Sequence, residues 1–203
     1  MADGTDMADK DRQIAELGRR LEQEVGTLNR LIEITGLLNS TLNVDELLAL
    51  IMRSGADLLE AETSSLFLLD EDQNELEIAV ATGAPATEVM RKRIPAGTGI
   101  AGWVVEHGEP AIVDDPSEDA RFYGGIDEQS GFQTRNVLAV PLRTKEKVIG
   151  VVEIINKRDG AFSQDDVRVA TALADQAGTA IDNARLYSRL ADAVVTSRMS
   201  YRL

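Results

Sequence analysis

The order of apolar and polar positions between residues 131 and 156 predicts two adjoining strands. Val137–Leu142 is a short apolar run, residues 144–147 form a polar break, and Val148–Asn156 is a second run made mostly of valine and isoleucine. Such residues are enriched in strands, and a short polar break between two runs is typical of a hairpin. Because both runs are continuously apolar, we expect them at the sheet centre, although Pro141 cannot donate to a neighbouring strand and weakens this placement for the first strand.

Two earlier stretches predict a second hairpin. Thr63–Leu69 and Glu75–Ala81 have the composition of strands and are joined by the polar turn 70–74. We expect this hairpin at or near an edge of the sheet. Residues 82–93 are expected to be irregular, with one turn of helix around Glu88, because glycine and proline interrupt them.

Helices are predicted from capping residues and apolar spacing. Asn43 can cap a helix over residues 44–58, and Ser163 can cap a long helix that continues towards the end of the chain. A shorter helix is predicted at Ile100–Glu106, followed by a short strand at Ala111–Val113. Helices combined with antiparallel hairpins indicate an α+β fold with a central antiparallel sheet.

Long helices are predicted at both ends of the chain. Residues 14–38 carry apolar side chains at alternating three- and four-residue steps, which is the seam of a coiled coil, with Glu24 and Thr35 as polar members. The helix after Ser163 carries a second seam as far as about Met199. We therefore predict a homodimer in which the terminal helices of two chains form a four-helix bundle. The expected organisation is an N-terminal helix (1–40), a globular domain (41–187) and the end of a C-terminal helix (188–203).

Composition and charge restrict the classes of function. A formal net charge of −14 disfavours nucleic-acid binding, which needs lysine and arginine concentrated on one face. The chain has no cysteine, which excludes disulfides, thiolate metal sites and thiol catalysis. No secretory signal pattern is present, nor a run of about eighteen apolar residues, so we expect no membrane association and a cytoplasmic location.

Three short motifs suggest chemistry, and each lacks a part that the chemistry requires. Residues 97–102, GTGIAG, match a dinucleotide-binding pattern without a buried strand before them, and the alternative is a tight turn. The acidic turn 70–74 imitates the start of a calcium loop, but Glu75 stands where glycine is required. His107 is the only histidine; it is interpreted as a surface residue that ends a helix, with a haem ligand or catalytic base as alternatives.

Four stretches of the chain resemble the GAF domains, a family of sensory modules in signalling proteins. They read TSSLFLLDED from residue 63, GTGIAGWVVEHGEPAIVDD from 97, DPSEDARFYGGIDEQSGFQTRNVLAVPL from 115, and VIGVVEIINKRDGAFSQDD from 148. The resemblance covers about residues 44–187. It implies a central antiparallel sheet with helices on one face and a ligand pocket covered by helices and loops on the other.

The cyclic-nucleotide-binding branch of that family carries an N-K, F, D-E signature. Asn156, Lys157, Phe162 and Asp166 match its first four members, whereas Val167 replaces the final glutamate. Opposite charges allow Lys157 and Asp166 to pair as a clamp between the last strand and the final helix. We therefore expect a structural role for this motif rather than contact with a ligand.

The polar segment before the central hairpin resembles nucleotide-binding members of the family. The matching residues are Asp127, Ser130, Gly131, Phe132 and Thr134. The resemblance implies that this segment is a lid over the pocket. Short polar side chains and backbone N–H groups at a helix start suit a phosphate or a purine edge. Phe122 and Phe132 would stack on a ligand or, as the preferred alternative, pack in the core.

The resemblance leads to one preferred function and one alternative. We expect a non-catalytic GAF sensor that binds a small molecule, with cyclic AMP (cAMP) or cyclic GMP (cGMP) as candidates, and relays the change through dimeric flanking helices. The alternative is a ligand-free GAF domain that serves as a dimerisation and relay scaffold. A methionine sulfoxide reductase of this fold is disfavoured because its chemistry needs cysteine. An output domain is expected after Leu203.

Overall fold

A computed structural model of the protein describes residues 44–84, 86–145 and 147–200, with side chains described as far as residue 186. Its centre is a six-stranded antiparallel sheet in the order β3-β2-β1-β6-β5-β4. The elements in chain order are α1 (Val44–Leu58), β1 (Ala61–Asp70), β2 (Glu75–Ala81), α2 (Ala86–Val89), β3 (Arg93–Pro95), α3 (Gly99–His107), β4 (Ala111–Val113), a 3-10 turn (Pro116–Glu118), α4 (Gly125–Ser130), β5 (Val137–Arg143), β6 (Val148–Lys157) and α5 (Gln164–Ser200). The helix predicted over residues 14–38 and the cap at Asn43 lie outside the described residues.

The predicted central hairpin is present as β5 and β6. Leu138 pairs with Ile154, and on the other side of β6 the neighbour of Ile154 is Ser64 of β1, so β6 lies at the sheet centre as expected. Strand β4 pairs with β5 only over residues 137–139. Pro141 therefore lies beyond the end of β4. Its missing N–H group does not interrupt the pairing of β4 with β5.

The β1–β2 hairpin lies near one edge of the sheet, as expected. Strand β1 lies between β2 and β6, and the edge beyond β2 is occupied by β3, a strand that the sequence did not predict. Only Ile94 of β3 is buried, which is too weak an apolar signal to identify a strand. Strand β3 is held instead by pairing with β2 and by Arg93, which binds carboxylates of Glu75 and Glu77.

Both edges of the sheet are short and bounded by proline. Strands β3 and β4 have three residues each. Pro95 is the last residue of β3, and Pro110 directly precedes β4. Proline has no N–H group to offer to a further strand.

Helices α1 and α5 pack together and against one face of the sheet. Gly55 of α1 lies at their contact, where an added Cβ would be 3.2 Å from Leu173 of α5 and 3.3 Å from Ile154 of β6. At Gly178 of α5 an added Cβ would come 1.9 Å from the carbonyl oxygen of Arg143. These contacts leave no room for larger side chains, so the helices lie directly on the sheet.

The other face of the sheet is covered by α2, α3 and α4. Helix α2 confirms the helical turn expected around Glu88, and α3 confirms the helix predicted from Ile100. Gly108 ends α3 in the left-handed conformation, with φ 66°. Beneath these helices lies an apolar cluster that includes Phe67, Ile78, Val104 and Val151.

Candidate functional site

A cavity lies between the sheet and the elements on this second face. Counting its open mouth, it encloses about 680 Å³ of empty space. The sheet forms the floor, the start of α3 forms one wall, and residues 119–134, the lid segment, contribute the cover. The residues predicted to bind a ligand all line it: Phe122, Asp127, Ser130, Phe132 and Thr134.

The polar side chains of the lid segment are bonded to one another. The Asp127 carboxylate accepts hydrogen bonds from the backbone N–H (2.7 Å) and the hydroxyl (2.9 Å) of Thr134. The Ser130 hydroxyl donates to the carbonyl of Ile126 (2.8 Å) and accepts from the N–H of Phe132 (3.3 Å). These bonds fix α4 to the strand that follows it, so these side chains hold the lid in shape before any ligand arrives.

Glu153 is a cavity residue that the sequence analysis missed. It lies in β6, surrounded by apolar neighbours, and its carboxyl group reaches the cavity. Burial and the negative charge of Asp127 together raise the pKa of Glu153 to about 7. Its side chain makes no hydrogen bond or ion pair with any residue of the described parts of the chain. The sequence feature that could have identified Glu153 is an acidic residue in the middle of an apolar central strand.

Ser65 accompanies Glu153 in the floor. The two residues are opposite each other in the β1–β6 register, so their side chains leave the same face of the sheet. Ser65 is only 6% exposed, and its hydroxyl has no hydrogen-bond partner among the described residues. The floor therefore presents two neighbouring polar groups that are available to a ligand.

The mouth of the cavity is formed where two helix starts approach Tyr123. Its side chain is 42% exposed. An added Cβ at Gly125 would lie 2.5 Å from the Tyr123 ring, and one at Gly99 would lie 3.2 Å from the Tyr123 Cβ.

Gly97 and Gly99 have φ of 82° and 74°, so the GTGIAG stretch is a tight turn.

His107 lies outside the cavity. Its ring stacks on Trp103 with 4.4 Å between centroids, and its Nδ1 is 2.9 Å from the carbonyl oxygen of Trp103. It is an exposed residue at the end of α3, as the preferred interpretation held. In the described parts of the chain, no group of three or more acidic or histidine side chains is arranged to hold a metal ion.

The side chain of Asn156 joins the end of the lid segment to the sheet. Asn156 is fully buried and has φ 61°, an uncommon conformation in which asparagine is tolerated. Its Oδ1 accepts from the N–H of Arg135 (2.7 Å), and its Nδ2 donates to the carbonyl of Gln133 and to Glu62 (both 2.8 Å). Hydrogen bonds from Arg135 and Asn156 hold the pKa of Glu62 below its usual value.

Lys157 and Asp166 form the expected pair between β6 and α5. Lys157 Nζ lies 2.9 Å from Asp166 Oδ1 and 5.6 Å from the centroid of the Phe162 ring. Ser163 and Asp166 cap α5 reciprocally, with the Ser163 N–H 2.7 Å from Asp166 Oδ2. Burial alone would raise the pKa of Asp166, but the bonds from Lys157 and Ser163 lower it. None of the four motif residues lines the cavity.

No helix in the described parts of the chain is both long enough and apolar enough to span a bilayer.

Two curated relatives are similar over most of the globular domain. A probable 3′,5′-cyclic phosphodiesterase of Caenorhabditis elegans is 28% identical over 185 residues, covering 86% of this chain and 25% of that protein. The dual 3′,5′-cyclic-AMP and -GMP phosphodiesterase 11A of Takifugu rubripes is 32% identical over 142 residues, covering 64% of this chain and 16% of that protein. This chain thus spans a quarter or less of the length of either relative.

A solved structure shares the fold. The GAF domain of a phosphoenolpyruvate-protein phosphotransferase from Coxiella burnetii superposes with a TM-score of 0.72 at 22% identity, covering 80% of this chain and 96% of that chain. A sequence model of the GAF domain matches residues 43–183, well over half of the protein. The antiparallel sheet, with two helices on one face and a covered cavity on the other, is the arrangement that the resemblance implied. The chain belongs to the GAF domain family.

Proposed function

We propose that this GAF domain is a non-catalytic sensor whose cavity binds a 3′,5′-cyclic nucleotide. The observation that carries the proposal is the pair of polar side chains in the floor, Ser65 and Glu153, which have no partner among the described residues and lie beneath largely apolar walls. Small-molecule sites combine such walls with a few convergent polar groups. The two curated relatives are cyclic phosphodiesterases, which supports this class of ligand.

The lining suggests how such a ligand would lie. No lysine, arginine or histidine is among the described residues that line the cavity, so the cyclic phosphate would be held by backbone N–H groups at the start of α3. The side chain of Thr98, the N-cap residue of α3, makes no capping hydrogen bond to these N–H groups. The base or ribose would then face Glu153, which accepts from an N–H or O–H group when ionised and donates when protonated.

The alternative is a domain that relays signals without a ligand. It is favoured by the mutual hydrogen bonds of Asp127 and Thr134, since polar groups that are already satisfied gain little from a ligand. In that case the cavity is a packing defect below the lid. The two functions differ in what they imply for Glu153, because an acidic group in a largely apolar cavity, with no partner among the described residues, is costly unless a ligand uses it.

We infer that the response passes to the helices of a dimer. Asn156 bonds the backbone of the lid segment, and the next residue, Lys157, pairs with Asp166 at the start of α5. A change at the lid can therefore bias the position of α5 through contiguous contacts. Leu186 of α5 is 56% exposed, which suits a helix that packs against a second chain.

Calorimetric titration tests the proposed ligand. Protein purified under native conditions is first analysed for co-purified nucleotide, and nucleotide-free protein is then titrated with cyclic AMP and cyclic GMP. We expect Glu153→Gln and Ser65→Ala to weaken binding, whereas Glu106→Gln, at an exposed position of α3, keeps wild-type affinity. Absence of binding of either nucleotide at millimolar concentration would leave the ligand-free relay as the function.

A further inference from the structure

A contact on the outer side of α3 joins that helix to the lid segment. The guanidinium carbon of Arg121 lies 4.7 Å from the centroid of the Trp103 ring. Trp103 is in α3, whose first turn forms a wall of the cavity, while Arg121 directly precedes Phe122 and Tyr123, which line it. The contact therefore connects the wall of the cavity with the residues at its mouth.

Arg121 is oriented for this contact by Asp119. The Asp119 carboxylate accepts hydrogen bonds from the backbone N–H of Arg121 (2.9 Å), from Nε (2.9 Å) and from Nη2 (2.7 Å). The hydrogen bonds from Arg121 lower the pKa of Asp119 to about 2, so the pair is intact at physiological pH. A guanidinium held this way loses little further freedom when it lies over an aromatic ring.

The two ends of the lid segment are attached differently. The end near Thr134 is held by hydrogen bonds to buried Asn156 in the sheet. The end near Tyr123 is more exposed, and it is joined to α3 by the contact of Arg121 with Trp103 and by the approach of Tyr123 to Gly99. A contact at an accessible site is weaker than buried hydrogen bonds, so this end is the one that opens first.

We propose that Arg121 and Trp103 form a catch that keeps the lid closed, and that its release opens the cavity at Tyr123 while the Asn156 end stays attached. Arg121 acts as a positioning residue for Phe122 and Tyr123. The proposed function matters to the catch only in naming the ligand that enters the cavity. Closure of the lid itself is measured on the ligand-free protein.

Amide hydrogen exchange measures the catch directly. The N–H of Phe122 bonds to the carbonyl of Asp119 (2.9 Å) and that of Glu128 to Gly124 (3.0 Å), so both report opening of the lid. In Arg121→Gln we expect these amides to exchange roughly 2- to 30-fold faster, the range that corresponds to a cation–π contact. The amide of Val152, in the central strand β6, is expected to keep its wild-type rate.

Matched variants separate the catch from a general loss of stability. Arg168→Gln makes the same chemical change at an exposed site of α5 and should leave the lid amides unchanged. Trp103→Leu should also accelerate the lid amides, and the double variant should exchange no faster than Arg121→Gln alone, because both changes break the Arg121–Trp103 contact. Arg121→Lys, which keeps the cation, should restore part of the protection.

Defined results overturn the proposal. Lid exchange in Arg121→Gln within twofold of wild type would show that the contact does not hold the lid closed, as would fully additive effects in the double variant. Equal acceleration of Phe122 and Val152 would show a global effect instead. If cyclic nucleotides do not bind, the exchange rates expected for these variants stay the same, so that result contradicts only the proposed function.

Discussion

Asp127 in the lid lies close enough to Glu153 in the sheet for its charge to act on that carboxyl group. Burial is the larger cause and Asp127 the second, and together they raise the pKa of Glu153 to about 7. Near neutral pH the floor of the cavity therefore contains both protonated and ionised Glu153. Asp127 and Glu153 are therefore linked electrostatically although they share no hydrogen bond with each other.

Glu153→Gln is predicted to stabilise the protein at high pH and not at low pH. Between pH 4.5 and about 7 the folded state binds more protons at this site than the unfolded state, so the contribution of Glu153 falls as pH rises. The rise in the pKa of Glu153 from 4.5 to about 7 corresponds to about 3 kcal/mol of lost stability at high pH. The measurement is urea denaturation of both proteins from about pH 4 to about pH 8. A difference in unfolding free energy that does not vary with pH would contradict the assignment.

Asp127→Ala and Thr134→Ala are predicted to lower ligand affinity with little loss of stability, because lid segments contribute few core contacts. Their mutual bonds mean that each variant also loosens the lid, by about 1 kcal/mol for one hydrogen bond. Calorimetry gives the affinity and thermal unfolding gives the stability. Unchanged affinity in both variants would remove these residues from the site.

Lys157→Ala is predicted to destabilise the domain without affecting the cavity. For an exposed pair the expected loss would be about 0 to 1 kcal/mol. The side chains of Lys157 and Asp166 are only 17% and 13% exposed, so we now expect about 1 to 3 kcal/mol. Denaturation midpoints should fall for Lys157→Ala and barely change for Arg168→Ala, whose partner Asp165 is 79% exposed. Equal losses in the two variants would argue against the clamp.

Asn156→Ala is predicted to be more damaging than Asn156→Gly. Both variants lose the bonds to Gln133 and Arg135, while alanine also strains a backbone with φ 61°. We expect a loss of about 2 to 4 kcal/mol for alanine, with glycine about 1 kcal/mol less. Chemical denaturation checks the order, and the reverse order would mean that backbone strain is not stored at this site.

Sedimentation equilibrium is predicted to show a dimer for the whole chain at micromolar concentration. A version that lacks residues 1–40 should dissociate more readily, because the predicted N-terminal seam is removed. A monomeric whole chain would end the dimer proposal. An unchanged dimer after truncation would assign the interface to α5.

Local signals in the sequence identified most elements of the fold. The β5–β6 hairpin is apparent because its apolar runs and polar break are contiguous, and the cap at Ser163 marks the start of α5. Strand β3 was missed because its identity depends on Glu75 and Glu77 of another strand. Sheet order likewise depends on pairings between distant segments, so the sequence placed the β1–β2 hairpin near an edge without predicting that β3 forms the edge itself.

The candidate site was predictable only in its lid. The pattern from Asp127 to Thr134 is contiguous, so a resemblance could identify it. Glu153 and Ser65 are 88 positions apart in the chain and become neighbours only through the β1–β6 register. The Arg121–Trp103 contact is equally a product of tertiary structure, since the two residues belong to separate stretches of the sequence that only the fold brings together.

The proline-bounded edges have a consequence for how copies of this protein meet. An exposed strand that can pair with another chain is a starting point for amyloid-like growth, and natural sheets limit it with short edges and proline. Here strands β3 and β4 have three residues each, with Pro95 at the end of one and Pro110 just before the other. The sheet of the described domain should therefore resist templated aggregation even where many copies are crowded.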